Sequence, residues 1–88
     1  MTMTTQLDGR QMCSRAAAHD HLKQQLSLPD YYGRNLDALY DLLTEGREPT
    51  TIELLNKSEM LSSLGRYGEL LIETLQQAAE DNPNLNFL

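Results

Sequence analysis

Asn35-Leu36-Asp37-Ala38-Leu39-Tyr40-Asp41-Leu42-Leu43-Thr44-Glu45-Gly46, followed beyond Pro49 by Thr50-Thr51-Ile52-Glu53-Leu54-Leu55, sets a helix directly before a strand. Asn35 is a favoured N-cap, and Leu36, Leu39, Tyr40 and Leu43 recur at i, i+3, i+4 and i+7 to make one apolar stripe. Gly46 stops the helix and Pro49 keeps it from resuming. Five of the six residues from Thr50 to Leu55 are β-branched or apolar, and the run is bounded by Pro49 and Asn56, which reads as a strand.

The same alternation continues on both sides. Thr2 to Leu7 has Thr-rich strand character, ended by the turn signal Asp8-Gly9. Ser14 caps a helix in which Ala18, Leu22 and Leu26 fall at successive i+4 positions, and Pro29 closes it. Downstream, Ser58 to Leu64 reads as a short helix ending at Gly65, and Glu69 to Glu80 as a longer one with Leu71, Leu75, Ala78 and Ala79 on its apolar side. Asp81-Asn82-Pro83-Asn84 breaks it, and Leu85 to Leu88 is a short final strand. Strands separated by helices call for crossover connections, so the class is α/β: a small, mostly parallel sheet with helices packed against it. Residues 1–88 suffice for a single domain with one core and are too few for two.

Seven Lys and Arg against thirteen Asp and Glu give a net charge of −6. That balance argues against a nucleic-acid partner, which needs clustered cations, and makes a basic protein the natural electrostatic complement. The lone Cys13 cannot close an intramolecular disulfide, the polar start Met1 to Gln6 lacks a signal-peptide pattern, and no run is long and apolar enough for a membrane span. A soluble cytoplasmic protein, monomeric when free and without membrane contact, is the expectation.

At 100° per residue, taking Leu36 as zero, Asp37 falls at about 100°, Asp41 at about 140° and Glu45 at about 180°. The acids form a stripe beside the core face. A like-charged pair at i,i+4 costs an isolated helix about 0.2–0.5 kcal/mol, so a cationic partner is one candidate for what compensates Asp37 and Asp41; a solvated helix face is the other. Catalysis on the pair lacks support, because nothing in the sequence separates the two pKa values and no phosphate-binding glycine loop accompanies them. No metal or cofactor site is expected. Tyr31, Tyr32 and Tyr40 crowd the same segment and suit an interface; each equally suits the core with its hydroxyl at the edge, a reading favoured for Tyr40 by its place on the apolar stripe. His19 and His21 point about 200° apart on a helix and read as surface or boundary residues; Cys13 reads as a semi-buried structural thiol and Met60 as a packing residue.

The run Leu28-Pro29-Asp30-Tyr31-Tyr32-Gly33-Arg34-Asn35-Leu36-Asp37-Ala38-Leu39-Tyr40-Asp41 resembles the signature of the barstar family, intracellular inhibitors of barnase-type ribonucleases. That pattern is Leu-Pro, an acid, Tyr-Tyr-Gly, any residue, Asn-Leu-Asp-Ala-Leu, an aromatic residue and Asp, and each position is present. Weaker similarity extends from Leu7-Asp8-Gly9 through the final strand. The resemblance implies a three-stranded parallel sheet flanked by helices. It also implies an inhibitor, not an enzyme, whose acidic helix and preceding loop plug the active site of a secreted guanyl-specific ribonuclease.

On that resemblance Asp41 is the principal plug and Asp37 the second acid, placed where RNA phosphate would sit. Tyr31 packs on the nuclease's catalytic histidine, and Gly33, Asn35, Ala38 and Thr44 make close or hydrogen-bonded contacts, with Tyr40 at the aromatic position. A site that holds phosphate with Arg, Lys and His accepts a rigidly presented carboxylate for the same reason. Three departures bear on the target: the chain has no tryptophan, Gln77 stands where a further acid is expected, and Cys13 does not match the family's cysteine positions. The alternative is a barstar-like interaction or regulatory module with a different basic partner; a carboxylate-dependent hydrolase is a third, weaker reading.

Overall fold

The run Thr50–Leu55 is the central strand of a three-stranded parallel sheet in a computed structural model that describes residues 3–88. The elements in chain order are β1 (Met3–Asp8), a 3-10 turn (Gly9–Gln11), α1 (Arg15–Leu26), α2 (Leu36–Glu45), β2 (Thr50–Leu55), α3 (Lys57–Leu64), α4 (Arg66–Asp81) and β3 (Leu85–Phe87). The sheet order is β1-β2-β3, both pairings parallel, as the α/β reading requires. Thr2, where the first strand was expected to begin, lies outside the described residues, and the strand continues one residue past Leu7 to Asp8.

The register explains which residues the sheet buries. Thr5 lies beside Ile52 and Ile52 beside Phe87, while Leu7 pairs with Leu54 and Thr50 with Leu85. This face meets the core, where Leu7, Leu22, Leu39, Ile52, Leu71 and Leu75 are fully buried. Strand side chains alternate, so Thr4, Thr51 and Asn86 form a row on the opposite face, with Gln6 beside Glu53 below it. That face is polar, with Thr4, Gln6 and Asn86 exposed and Thr51 and Glu53 half-buried. α1 packs on β1, α4 on β3 and on α2, and α3 on α4 and the 3-10 turn.

At three helix ends either the position or the signal that sets it differs from expectation. α1 ends at Leu26 because Ser27 takes a left-handed conformation (φ 53°) and its N–H donates to the Lys23 carbonyl; Pro29 lies beyond the end that Ser27 makes. α4 starts at Arg66, three residues before Glu69, since Gly65 (φ 58°, ψ −129°) turns α3 directly into α4 with no further linker. α2 stops at Glu45 as expected, yet Gly46 is extended (φ −63°, ψ 134°) and does not use the left-handed region. The stop is made from outside: buried Asn82 donates from Nδ2 to the carbonyls of Leu43 (2.8 Å) and Gly46 (3.0 Å), taking up two groups that the helix end leaves open.

Candidate functional site

The loop before α2 is built onto the helix it feeds. Asn35 accepts the Ala38 N–H on Oδ1 at 2.8 Å, the expected N-cap, and donates from Nδ2 to the Gly33 carbonyl at 3.1 Å. A Cβ on Gly33 would stand 3.2 Å from both the Ala38 Cβ and the Asn35 Nδ2, tighter than ordinary contact, so the glycine lets the loop close on the first turn without displacing either side chain. Between them, Arg34 occupies the left-handed region at φ 57°. A non-glycine residue held there costs about 1–2 kcal/mol. Its guanidinium donates to the Ala16 carbonyl at 3.3 Å and to the Asp20 carboxylate, both on α1.

Asp37, Asp41 and Glu45 are all exposed, on the stripe that helical phase assigns them. Among the described residues, no ion pair uses any of the three; the pairs formed by carboxylates engage Asp8, Asp20, Asp30 and Glu69. Asp37 lies in the first turn of α2, where the helix dipole favours a negative charge. Asp41 and Glu45 lie toward the other end, with no basic residue in the last turn to offset them. Half-buried Thr44 turns its hydroxyl onto its own helix, within reach of the Tyr40 (2.9 Å) and Asp41 (3.1 Å) carbonyls. Ala38 is half-buried beneath Gly33.

The two adjacent tyrosines separate sharply. Tyr31 is 80% exposed, whereas Tyr32 is 5% exposed and part of the core. Half-buried Tyr40 donates its hydroxyl to Asp81 at the end of α4, which also receives Gln77 Nε2 at 3.3 Å. These donors hold the Asp81 carboxyl below its ordinary pKa, and the carboxylate in turn pushes the Tyr40 phenol up. The position where Gln77 replaces an expected acid is therefore occupied by a side chain that supports an acid one turn later.

Sequence reasoning missed what lies behind the loop. His19 and His21, expected at the surface or boundary, are 2% and 8% exposed. Burial is possible because the rings are paired: His21 Nε2 accepts the Asp8 N–H at the end of β1 (2.9 Å), and His19 lies 2.6 Å from the Tyr32 hydroxyl through Nδ1 and 2.6 Å from the Tyr67 hydroxyl through Nε2. Desolvation, with the Arg34 charge, lowers the pKa of His19; burial raises those of Tyr32 and Tyr67. Arg15 lies 4.3 Å over the Tyr67 ring. Forty-eight residues separate His19 from Tyr67, so no local pattern signals their contact. Cys13 is also corrected: its thiol is exposed, in the bend ahead of α1, and contributes nothing to the core. Met60 is fully buried, as a packing residue should be.

Among the described residues, no group of three or more His, Cys, Asp or Glu side chains is arranged to hold a metal ion, and no helix is long and apolar enough to cross a membrane. The assembled face thus consists of an exposed aromatic on a braced loop, followed by unpaired carboxylates on a capped helix. A family profile described as "Barstar (barnase inhibitor)" matches residues 2–87. The chain is also 43% identical over 76 residues to "Putative ribonuclease inhibitor YrdF" of Bacillus subtilis (strain 168), covering 85% of this chain and 84% of that protein. With the sheet order, the braced loop and the full signature in place, this chain belongs to the barstar family.

Proposed function

We propose that this protein is a ribonuclease inhibitor whose target is a barnase-type secreted enzyme, and that it blocks the active site with the loop Tyr31–Asn35 and the acidic face of α2. The observation that carries this reading is the pairing of an exposed Tyr31 with Asp37 and Asp41, exposed carboxylates with no ion-pair partner among the described residues, on backbone held by Asn35, Gly33 and Arg34. Family membership and the name of the Bacillus relative support the general activity. Asp41 and Asp37 take the places of substrate phosphates against the nuclease's cations, Tyr31 packs on its catalytic imidazole, and Gly33, Asn35, Ala38, Tyr40 and Thr44 line the contact. The chain acts as one domain, binds one to one as a monomer in the cytoplasm and has no catalytic role of its own. A net charge of −6 speeds encounter with a basic nuclease and disfavours acidic ones.

The second reading, a different basic protein as target, draws on Gln77, an uncharged side chain turned onto Asp81 where an acid facing the nuclease is expected. One titration separates the two. RNA cleavage by a barnase-type ribonuclease is measured against increasing inhibitor, with Asp41→Ala and Asp37→Ala alongside. Stoichiometric inhibition is expected, weakened by about 2–5 kcal/mol in Asp41→Ala, less in Asp37→Ala, and weakened by added salt. Undiminished cleavage by every barnase-type enzyme tested overturns the first reading.

A further inference from the structure

Tyr32 is the inner half of the tyrosine pair. It cannot touch a partner that meets Tyr31, and its hydroxyl is committed to His19 on α1, which in turn meets Tyr67 on α4. Arg34, two residues on, is anchored to α1 at Ala16 and Asp20, one helical turn apart around His19. Both attachments run from the loop to the same stretch of α1. Moreover, His19, Tyr67, Arg15, Arg34, Asn35 and Asp37 line one cleft, so the buried bonds border the acidic face directly.

A neutral imidazole has one N–H and one lone pair, so it serves two hydroxyls only by giving a proton to one and taking a proton from the other. Both hydrogen bonds are then made, and no buried side-chain polar atom of the described residues lacks a partner. A protonated ring has two N–H groups and no lone pair. Buried Tyr32 has only Nδ1 to take its hydroxyl proton, so Tyr32 donates to Nδ1 and the Nε2–H goes to Tyr67; a proton on Nδ1 removes that acceptor, and Tyr32, unlike half-exposed Tyr67, cannot turn to water. The charges acting on the ring are Arg34 from the loop and Asp20 from α1, which oppose each other; Arg15, over Tyr67, and Asp37 of α2 line the same cleft.

We infer that His19 is a positioning residue for inhibition: by holding the Tyr32 hydroxyl from α1 it holds the loop so that Tyr31 and Asp37 meet the ribonuclease together, and taking up a proton loosens that hold. This rests on the ribonuclease-inhibitor reading for its partner, but not for its effect on the loop. Acidification below the ordinary histidine range therefore weakens inhibition through a residue that never touches the nuclease.

Two uncharged replacements separate positioning from mere packing. The amide of asparagine reaches the place of Nδ1, and that of glutamine the place of Nε2. His19→Asn keeps the bond to Tyr32 and His19→Gln the bond to Tyr67, and neither titrates. Inhibition of a barnase-type ribonuclease is measured for each across the histidine pH range, together with hydrogen exchange of the Tyr32 and Gly33 amides in the free protein. His19→Asn is expected to inhibit within about threefold of the parent and to lose the parent's additional weakening in acid. His19→Gln is expected to lose about tenfold, the worth of roughly one buried hydrogen bond, with faster exchange at both amides. Tyr32→Phe, which deletes only the hydroxyl and keeps the ring in the core, should match His19→Gln if either histidine variant folds poorly.

Equal losses in both histidine variants, or an acid profile identical in all proteins, overturn the inference. If the parent inhibits no ribonuclease, the functional reading fails by itself; loop amide exchange in the free variants then decides, with parent-like exchange in His19→Gln and Tyr32→Phe overturning the inference and faster exchange upholding the loop's dependence on His19.

Discussion

The Tyr40 hydroxyl donates to the Asp81 carboxylate, tying the middle of α2 to the last residue of α4. Tyr40 borders Asp41, whose charge adds to the upward shift of the phenol, so the bond lies at the rim of the proposed binding face. Removing the hydroxyl with Tyr40→Phe should let the Asp81 carboxyl titrate closer to its ordinary value. Gln77 still donates to it, so part of the downward shift should survive. Carbon-detected titration of the Asp81 carboxyl reads this directly. An unmoved titration would mean that the phenol spends its time elsewhere in solution.

Asn82 has the opposite character, a buried group serving backbone. Its side chain closes the end of α2 through the Leu43 and Gly46 carbonyls and accepts the Asn84 N–H at 3.0 Å, just ahead of β3. Asn82→Ala leaves two carbonyls and one N–H unserved, which costs about 1–3 kcal/mol and lowers the melting temperature by about 4–8 °C for each kcal/mol. Asn82→Asp is expected to be worse than its shape suggests, because it replaces a donor facing two carbonyls with an acceptor. Thermal melts of the two variants check both statements, and an Asn82→Asp protein as stable as the parent would contradict the second.

Elements with a strong local period were legible from the sequence, and so was the class they imply. The strand Thr50–Leu55 and the capped helix Leu36–Glu45 emerge with their expected bounds, since β-branching, an Asn cap and an i, i+3, i+4, i+7 stripe are local properties. The exposed stripe of Asp37, Asp41 and Glu45 follows from helical phase alone. What stayed hidden depends on contacts far apart in the chain. A histidine reads as a surface residue until two tyrosine hydroxyls are found for it, 13 and 48 residues away. Likewise Asn82 reads as a helix breaker, and only the packing of α4 on α2 makes it a cap for another helix. The late expected start of α4 has a local cause, because Gly68 lowers helix propensity there while tertiary packing against α3 overrides it.

Arg34 joins a backbone cost to a side-chain gain, and two substitutions separate them. Arg34→Ala keeps the left-handed cost of about 1–2 kcal/mol and loses the guanidinium bonds to Ala16 and Asp20. Arg34→Gly loses the same bonds and removes most of that cost, at the expense of a more flexible unfolded chain. An exposed ion pair is worth about 0–1 kcal/mol, so Arg34→Gly should melt within about 1 kcal/mol of the parent and above Arg34→Ala. Both should show faster amide exchange in the loop. If Arg34→Ala melts above Arg34→Gly, residue 34 is not left-handed in solution.

Acid should destabilise the protein in two separate windows. The His19 pKa is depressed by burial, so its contribution is fully present above its ordinary value of 6.5 and is lost as pH falls below it. Asp8 accepts from the Arg10 backbone N–H (2.9 Å) and from Asn56 Nδ2 (2.8 Å), which holds its carboxyl at about 2, against an ordinary 3.8. Its contribution is present above 3.8 and lost between there and about 2, and Asp81 acts in the same direction. Melting temperature against pH should therefore fall in one step below the histidine range and in another below the carboxylate range. His19→Gln should abolish the first step and leave the second; Asp8→Asn should diminish the second and leave the first. The two steps belong to different parts of the fold, since Asp8 ties β1 to the end of β2 through Asn56 while His19, on α1, meets Tyr32 of the loop before α2 and Tyr67 of α4. A single step shared by both variants would mean that the two sites titrate as one unit.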